Sequence, residues 1–263
     1  MVGYVASVFI GISLGLIGGG GSILTVPVLV YLFNVDAVVA TAYSLFIVGS
    51  TSAVGSISYF RNGLVNVRAA IVFGIPSIVA VFFTRAFLLP AIPDEIIRVG
   101  SFTLTKSMFL MLLFAILMLA ASYSMIKKDK DVTHGYSAKK QVNYLAILFE
   151  GMIVGLLTGL VGAGGGFLII PALVILSNLP MKEAIGTSLI IISAKSLIGF
   201  MGEGNQTIID WPMLMSVTAF AIAGIFIGTA ISKKVNGAAL KPAFGWFVLV
   251  MGIYIIIKET FLN

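Results

Sequence analysis

Gly159-Leu-Val-Gly-Ala-Gly-Gly-Gly-Phe-Leu-Ile-Ile-Pro171 decides how this chain is read. It lies inside apolar sequence, and it has an earlier twin, Gly15-Leu-Ile-Gly-Gly-Gly-Gly-Ser-Ile-Leu-Thr-Val-Pro27. Each runs small residues for a turn, then a short apolar stretch, then proline. A shift of 144 residues lays one on the other without a gap, and the register continues outward. Asn34 meets Asn178, Ala40 meets Ala184, Ser44-Leu45 meets Ser188-Leu189, Ser52 meets Ser196 and Gly55 meets Gly199. About a third of the positions from Gly11 to Asn66 are identical to their partners, and a match of that length at one fixed offset marks a duplicated unit.

The surroundings set the class. Hydrophobic residues make up 59% of the chain and charged ones 10%, against about 25% charged in a soluble domain. The mean hydropathy is +1.13. Ala69–Thr84, Ser107–Ile126, Gly151–Met181, Trp211–Ser232 and Pro242–Ile257 carry no charge at all, and a helix needs ~20 mostly apolar residues to cross the bilayer core. An all-α polytopic membrane protein is expected. The net charge of +6 does not point to nucleic acid, because five lysines sit together between Lys127 and Lys140, as the positive-inside tendency places them. No cysteine is present, which excludes disulfides, thiolate metal sites and a cysteine nucleophile. Met1-Val-Gly-Tyr-Val-Ala has no positive n-region and reads as part of the first membrane segment.

Two halves follow, residues 1–126 and 142–263, joined by the polar linker 127–141. In the first half, 4–17 and 23–33 are apolar but short, and 38–60, 68–90 and 104–126 are long enough to span. The second half repeats the plan with 142–161, 167–178, 183–202, 212–231 and 240–258. Each glycine turn is either the tip of a re-entrant hairpin or a break within one long span. Loop charge favours the hairpin. With a hairpin each half has five membrane segments, the halves are inverted, and the basic loops at Arg61–Arg68, 127–141 and Lys233–Lys241 all face the cytoplasm. The loop with Glu203 and Asp210 then falls outside. With broken spans the halves are parallel and Lys233–Lys241 falls on the wrong side.

A non-helical backbone at membrane depth survives only inside protein or beside a watery cavity, because lipid offers its N–H and C=O groups no partner. Glycine permits the turn and lets a ligand approach the main chain. Proline is best tolerated in a first helical turn, so Pro27 and Pro171 predict that regular helix begins just before them. Free N–H groups at a helix start, helped by the positive end of the helix dipole, make an anion site. Gly18, Gly19, Gly20, Gly21 and Ser22 in the first half, and Gly162, Gly164, Gly165, Gly166 and Phe167 in the second, are therefore the candidate backbone donors. The plainer reading is tight helix packing through small residues. Duplication, the shared downstream proline and the short flanking segments weigh against it, and paired glycine-interrupted segments in two halves point to a transport site.

Here the chain resembles a known family. The glycine-rich run ending Gly164-Gly165-Gly166-Phe167 with Pro171 behind it, and the paired Ala42-Tyr43-Ser44-Leu45 and Gly186-Thr187-Ser188-Leu189, are similar to the sulfite exporter TauE/SafE membrane permeases. The resemblance covers both halves and the central loop. The first copy departs at Ser22, where the second has glycine, and at Tyr43, where it has threonine. The resemblance implies a secondary transporter, in the export direction, for small sulfur-containing anions such as sulfite or organosulfonates in the bacterial cytoplasmic membrane. A passive anion channel, or a permease for another small carboxylate or oxyanion, is the alternative.

Several polar residues fall at membrane depth. Lys195 lies within 183–202 and either pairs with an anionic substrate or snorkels to an interface about seven residues, ~11 Å, away. Glu150 lies some eight residues inside its segment and is either a proton carrier for coupling or the partner of Lys195 or another basic residue. Ser44, Thr187 and Ser188 follow the glycine turns and can donate to an oxyanion, although serine in a membrane helix usually bonds its own backbone. Asn34 and Asn178 read as helix C-terminal residues in the left-handed conformation, and Arg85 as an interfacial anchor. Enzyme chemistry lacks its parts. The one histidine, His134, is in the linker, there is no HExxH or GxSxG, and Glu150 is the only carboxylate at depth. No cofactor or metal is expected. The expected partners are a small anion and the lipid bilayer, with a homo-oligomer left open.

Overall fold

The computed structural model describes residues 2–99, 102–126, 144–162, 164–175, 179–202, 209–232 and 237–261. The linker 127–141, Asn178, Glu203 and Lys233-Lys234 lie outside the described residues.

All ten apolar segments are helices. In the first half these are α1 (Val2–Ile17), α2 (Gly20–Leu32), α3 (Ala37–Arg61), α4 (Val67–Phe83) with α5 (Leu89–Ala91) as its continuation, and α6 (Lys106–Ile126). In the second they are α7 (Tyr144–Val161), α8 (Gly166–Ile175), α9 (Met181–Met201), α10 (Trp211–Ser232) and α11 (Gly237–Phe261). Among the described residues five helices are long and apolar enough to cross a membrane: α3, the run Val67–Ala91, α6, α9 and α10. α1 and α2 are shorter and apolar, about 24 and 20 Å long at 1.5 Å per residue.

Local chemistry starts the helices where the sequence changes character. Asp36 caps α3, its Oδ1 accepting the Val38 and Val39 amides. Asn66 caps α4 through the Ala69 amide, and Asp210, the residue 144 further on, does the same for α10 through Met213. Asn34 has a φ of +53°, the left-handed conformation expected after α2. Between α4 and α5 the chain widens into a π-helical turn, Thr84–Leu88. Pro90 follows, and a ring that would clash with the carbonyl four residues back accounts for the wider turn. A short antiparallel pair, β1 (Glu95–Val99) and β2 (Phe102–Thr105), precedes α6. The sequence pattern did not foretell it.

The first glycine stretch is a hairpin. α2 folds back along α1, so that Gly3 lies against the Phe33 ring and Gly21 against Ile10 and Leu14. The expected start of regular helix just before proline is corrected here. α2 begins at Gly20 and carries Pro27 inside it, and α8 begins at Gly166, well before Pro171. In a site with little water, a hydrogen-bonded helix is the cheapest state for glycine backbone even though one proline N–H is missing.

The two halves exchange partners. α1 runs along α10, with Gly11 and Gly15 set against Ala221–Thr229 and Gly224 and Gly228 against Val8 and Ile12. Shifted by 144, the same rule pairs α7 with α4, where Gly151, Gly155 and Gly159 sit on Phe73, Ser77 and Thr84. These are small-residue contacts that let backbones meet. α3 crosses its own counterpart α9 with Leu45 at Gly199, Gly49 at Leu197 and Gly55 at Leu189, so the two run antiparallel. α6 packs on α11, where Gly252 meets Leu119 and Met118. α3 and α9 are central, with 67% and 61% of their apolar windows buried, against 33% for α4 and 39% for α10. Large apolar side chains such as Ile71, Ile75, Val79, Phe220 and Phe226 face outward, where a bilayer covers them.

Candidate functional site

The site grows from the two glycine turns. Gly18 and Gly162 both adopt positive φ, +72° and +73°. Each closes the preceding helix with its amide on the carbonyl four residues back, Leu14 and Thr158 respectively. This is a glycine C-cap, which a residue with a Cβ adopts only under strain. The halves then diverge. Gly164 and Gly165 keep positive φ, +61° and +71°, whereas their counterparts Gly20 and Gly21 already belong to α2.

Both tips arrive at one place. Gly19 and Gly166 touch backbone to backbone: a Cβ on either would overlap the other's main chain. Gly18 lies on Ile185 at the start of α9, and Gly162 lies on Thr41, the matching position on α3. Gly164 sits in the α3–α9 crossing between Val48 and Ile192, themselves 144 apart. The starts of α2 and α8 therefore lie side by side. A helix start leaves its first N–H groups without a partner four residues back, and here some of them are taken up locally. In α2 the Ser22 amide turns back to Gly19 O at 3.3 Å, and at α8 the Leu168 and Ile169 amides both reach Gly165 O at 3.0 Å.

Lys195 is the charge at this place. It is 0% exposed, which excludes the snorkelling reading. Its Nζ donates to Thr158 Oγ1 at 3.0 Å, and a Cβ on Gly165 would lie 2.7 Å from that nitrogen. The ammonium therefore stands over the second glycine turn. Next to it on α9, and three or four residues from Val48 on the same face of α3, are hydroxyls with nothing to bond. Ser44, Thr51, Ser52 and Ser196 are all fully buried with unpartnered oxygens. Ser196 Oγ lies 3.4 Å from where a Cβ on Gly164 would be. An unmade hydrogen bond on a buried hydroxyl costs about 1–3 kcal/mol, so four of them mark a place built for something else. Thr51, Ser52, Ser196 and Thr158 were not among the sequence candidates. The matched pair Ser52 and Ser196 was visible in the repeat alignment and was the available signal.

The other candidates divide. Ser188 lies at the first glycine turn, but its hydroxyl donates to backbone, to Ile185 O at 2.8 Å and toward Gly18 O at 3.3 Å. Ser22 closes on Gly19 O at 2.6 Å and offers its proton to its own backbone. Thr187 is turned to the α3–α4 connection, where it accepts the Asn66 amide at 2.9 Å. Phe167 contributes its place as the second residue of α8. Glu150 is not brought to Lys195. It lies eight residues from Thr158 on α7, about 12 Å along the helix, with Oε2 shielded and unpartnered. Arg85 is corrected. It is 1% exposed inside the π-helical turn, against Gly202 at the end of α9, and does not anchor at an interface. Distance from a helix end gave no information about which side of the helix it occupies. Among the described residues no group of three or more His, Asp or Glu is placed to hold a metal ion.

Comparison with known proteins identifies the family. The family described as sulfite exporter TauE/SafE matches residues 4–255. A "Probable membrane transporter protein" of Xylella fastidiosa (strain 9a5c) is 29% identical over 254 residues, covering 94% of this chain and 91% of that one. "Probable membrane transporter protein YunE" of Bacillus subtilis (strain 168) is 27% identical over 264 residues, covering 94% and 93%. No solved structure matches. With apolar helices throughout, and a family match that spans nearly the whole chain, this multi-pass membrane protein is a membrane transporter and belongs to the TauE/SafE family.

Proposed function

We propose that the chain is a secondary carrier exporting small sulfur-containing oxyanions, such as sulfite or organosulfonates, across the cytoplasmic membrane. In this reading the substrate sits at the meeting point of the two glycine turns, held by N–H groups near Gly20–Ile23 and Gly164–Phe167, by Ser44 and Ser196 and by Lys195, with Ser188 bracing the first turn through Gly18 O. The single observation that carries this reading is Lys195, a fully buried lysine whose amine donates to a neutral hydroxyl rather than to a carboxylate. A charge at membrane depth without a counter-charge favours an anion in transit.

The repeats are read as residues 1–126 and 142–263, inverted about the membrane plane, with re-entrant hairpins at α1–α2 and α7–α8 and a cytoplasmic linker between them. The antiparallel crossing of matched helices α3 and α9 supports inversion, because a unit and its copy point opposite ways wherever their matched helices do. Glu150 is the coupling residue in this reading, since a shielded carboxylate without a partner can take up and release a proton.

The test is purified protein in liposomes, screened for flux of sulfite, sulfonates, sulfate and simple carboxylates with and without a pH gradient. Saturable sulfite or sulfonate flux that the gradient accelerates is expected. Flux that never saturates would make the protein a channel, and a preference for carboxylates would remove the sulfur assignment.

A further inference from the structure

We propose that this site is matched to a single negative charge, and that Thr51 is the position that sets the match. The inference rests on the carrier reading above and names the charge class of its substrate.

The repeat supplies the argument. Thr51 is the residue 144 positions before Lys195. The contacts Leu45–Gly199, Gly49–Leu197 and Gly55–Leu189 place both residues within a turn of the centre of the α3–α9 crossing. Both are fully buried. One carries an ammonium, and the other a hydroxyl with no hydrogen-bond partner. The supporting residue differs in the same sense, because Thr158, which orients Lys195, corresponds to Leu14. A symmetric frame therefore presents its charge from one half only.

Arg85, the other fully buried cation among the described residues, packs against Gly202, seven residues and about 10 Å along α9 from Lys195. Glu150 is further along α7 and adds a carboxylate, not a cation. Ser44, Thr51, Ser52 and Ser196 donate to oxygens without adding charge. A monoanion neutralises Lys195 and satisfies these hydroxyls. A dianion of the same shape leaves one charge uncompensated in a water-poor interior, where an unpaired charge is disfavoured strongly. The ligand class is a small oxyanion carrying one negative charge, which within the carrier reading above means an alkyl sulfonate or hydrogen sulfite in preference to sulfate.

Methanesulfonate and sulfate share a tetrahedral sulfur centre and differ in charge. In proteoliposomes at neutral pH, methanesulfonate flux should exceed sulfate flux by at least about tenfold. Thr51→Lys, which restores the cation to the matching position, should shift that ratio toward sulfate by at least about tenfold. Sulfate moving as fast as methanesulfonate in the unaltered protein overturns the charge match and leaves the carrier reading standing. Movement of neither anion overturns the carrier reading and the match with it. A folded Thr51→Lys protein with the original ratio removes Thr51 from the mechanism. Lys195→Gln gives an independent arm should Thr51→Lys fail to insert. It should lose the preference for methanesulfonate over neutral dimethyl sulfone, and a preference that persists overturns the match.

Discussion

An ammonium at the centre of a membrane helix costs about 2.5–3.5 kcal/mol by insertion measurements, so Lys195 persists against a standing penalty. Lys195→Met should cut anion flux strongly while leaving the protein inserted and monodisperse on size-exclusion chromatography. Lys195→Arg should keep part of the flux, because the charge is retained and the shape is not. Full activity in Lys195→Met would return the residue to a structural role. Gly165 tests the backbone half of the same site. At φ +71°, with Thr158 and Lys195 where a Cβ would go, Gly165→Val should abolish flux and Gly165→Ala should weaken it. Anion-dependent melting separates binding from packing, because a ligand of the folded state adds about 2.7 kcal/mol at a hundred times Kd. Gly165→Ala should lose that shift, and should also melt somewhat earlier, because its Cβ meets Thr158 at a positive φ. A protein that melts early and still responds fully to the anion would take the turn out of the site. At this scale Lys195 and the glycines were legible because charge and glycine runs are rare in apolar sequence. Thr51, Ser52 and Ser196 were not, since a lone hydroxyl in a membrane helix looks the same whether or not its own backbone satisfies it.

Helix ends were legible to within a few residues where a side chain makes the cap, as at Asp36, Asn66 and Asp210. They were misread at Pro27, because the preference of proline for a first turn describes helices in water. Inside a protein in a bilayer, the glycines before it are drawn into helix by the lack of any other hydrogen-bond partner. The β1–β2 pair was missed because its short strands with Glu95 and Arg98 read as an ordinary polar loop. α3 and α9 offer a comparison of caps. α3 has Asp36, which also accepts from Ser107 Oγ at 2.9 Å, whereas α9 starts at Pro180 with no side-chain cap. Asp36→Ala should lower stability by about 0.5–2 kcal/mol. The protein should melt earlier and yet respond fully to the anion, a response that Gly165→Ala should lose. Loss of the anion response in Asp36→Ala would mean that the start of α3 belongs to the site.

The ten segments of the whole molecule could be read from apolar runs set off by glycine turns and polar loops, and hydrocarbon thickness accounts for the lengths of the five long ones. The exchange of partners between halves could not, because pairing between distant helices leaves no local periodicity. It left only the glycine spacings at Gly11 and Gly15, at Gly151, Gly155 and Gly159, and at Gly224 and Gly228, whose partners are anonymous until the chain is folded. Inversion of the halves predicts a labelling pattern. Asn62 and Gln206 stand 144 apart in matched loops of a chain with no cysteine. Single cysteines at the two positions should react with an impermeant thiol reagent from opposite faces, Asn62→Cys from the cytoplasm and Gln206→Cys from outside. Labelling of both from one face would require parallel repeats.

The contact of Gly19 with Gly166 has a bearing on leakage. A membrane that stores energy as voltage is drained by any continuous file of water, and each elementary charge lost across 100 mV forfeits about 2.3 kcal/mol. Two bare backbones in contact leave no room for such a file between the tips, and neither tip provides that barrier alone. A single methyl group would act as a wedge. Vesicles containing the unaltered protein should hold a potassium diffusion potential in the absence of substrate, and vesicles with Gly19→Ala should lose it. By this account the glycine pair insulates the membrane as well as presenting backbone to an anion, and the insulation depends on each half bringing a glycine to one point in space, although Gly19 and Gly166 are not matched positions of the repeat.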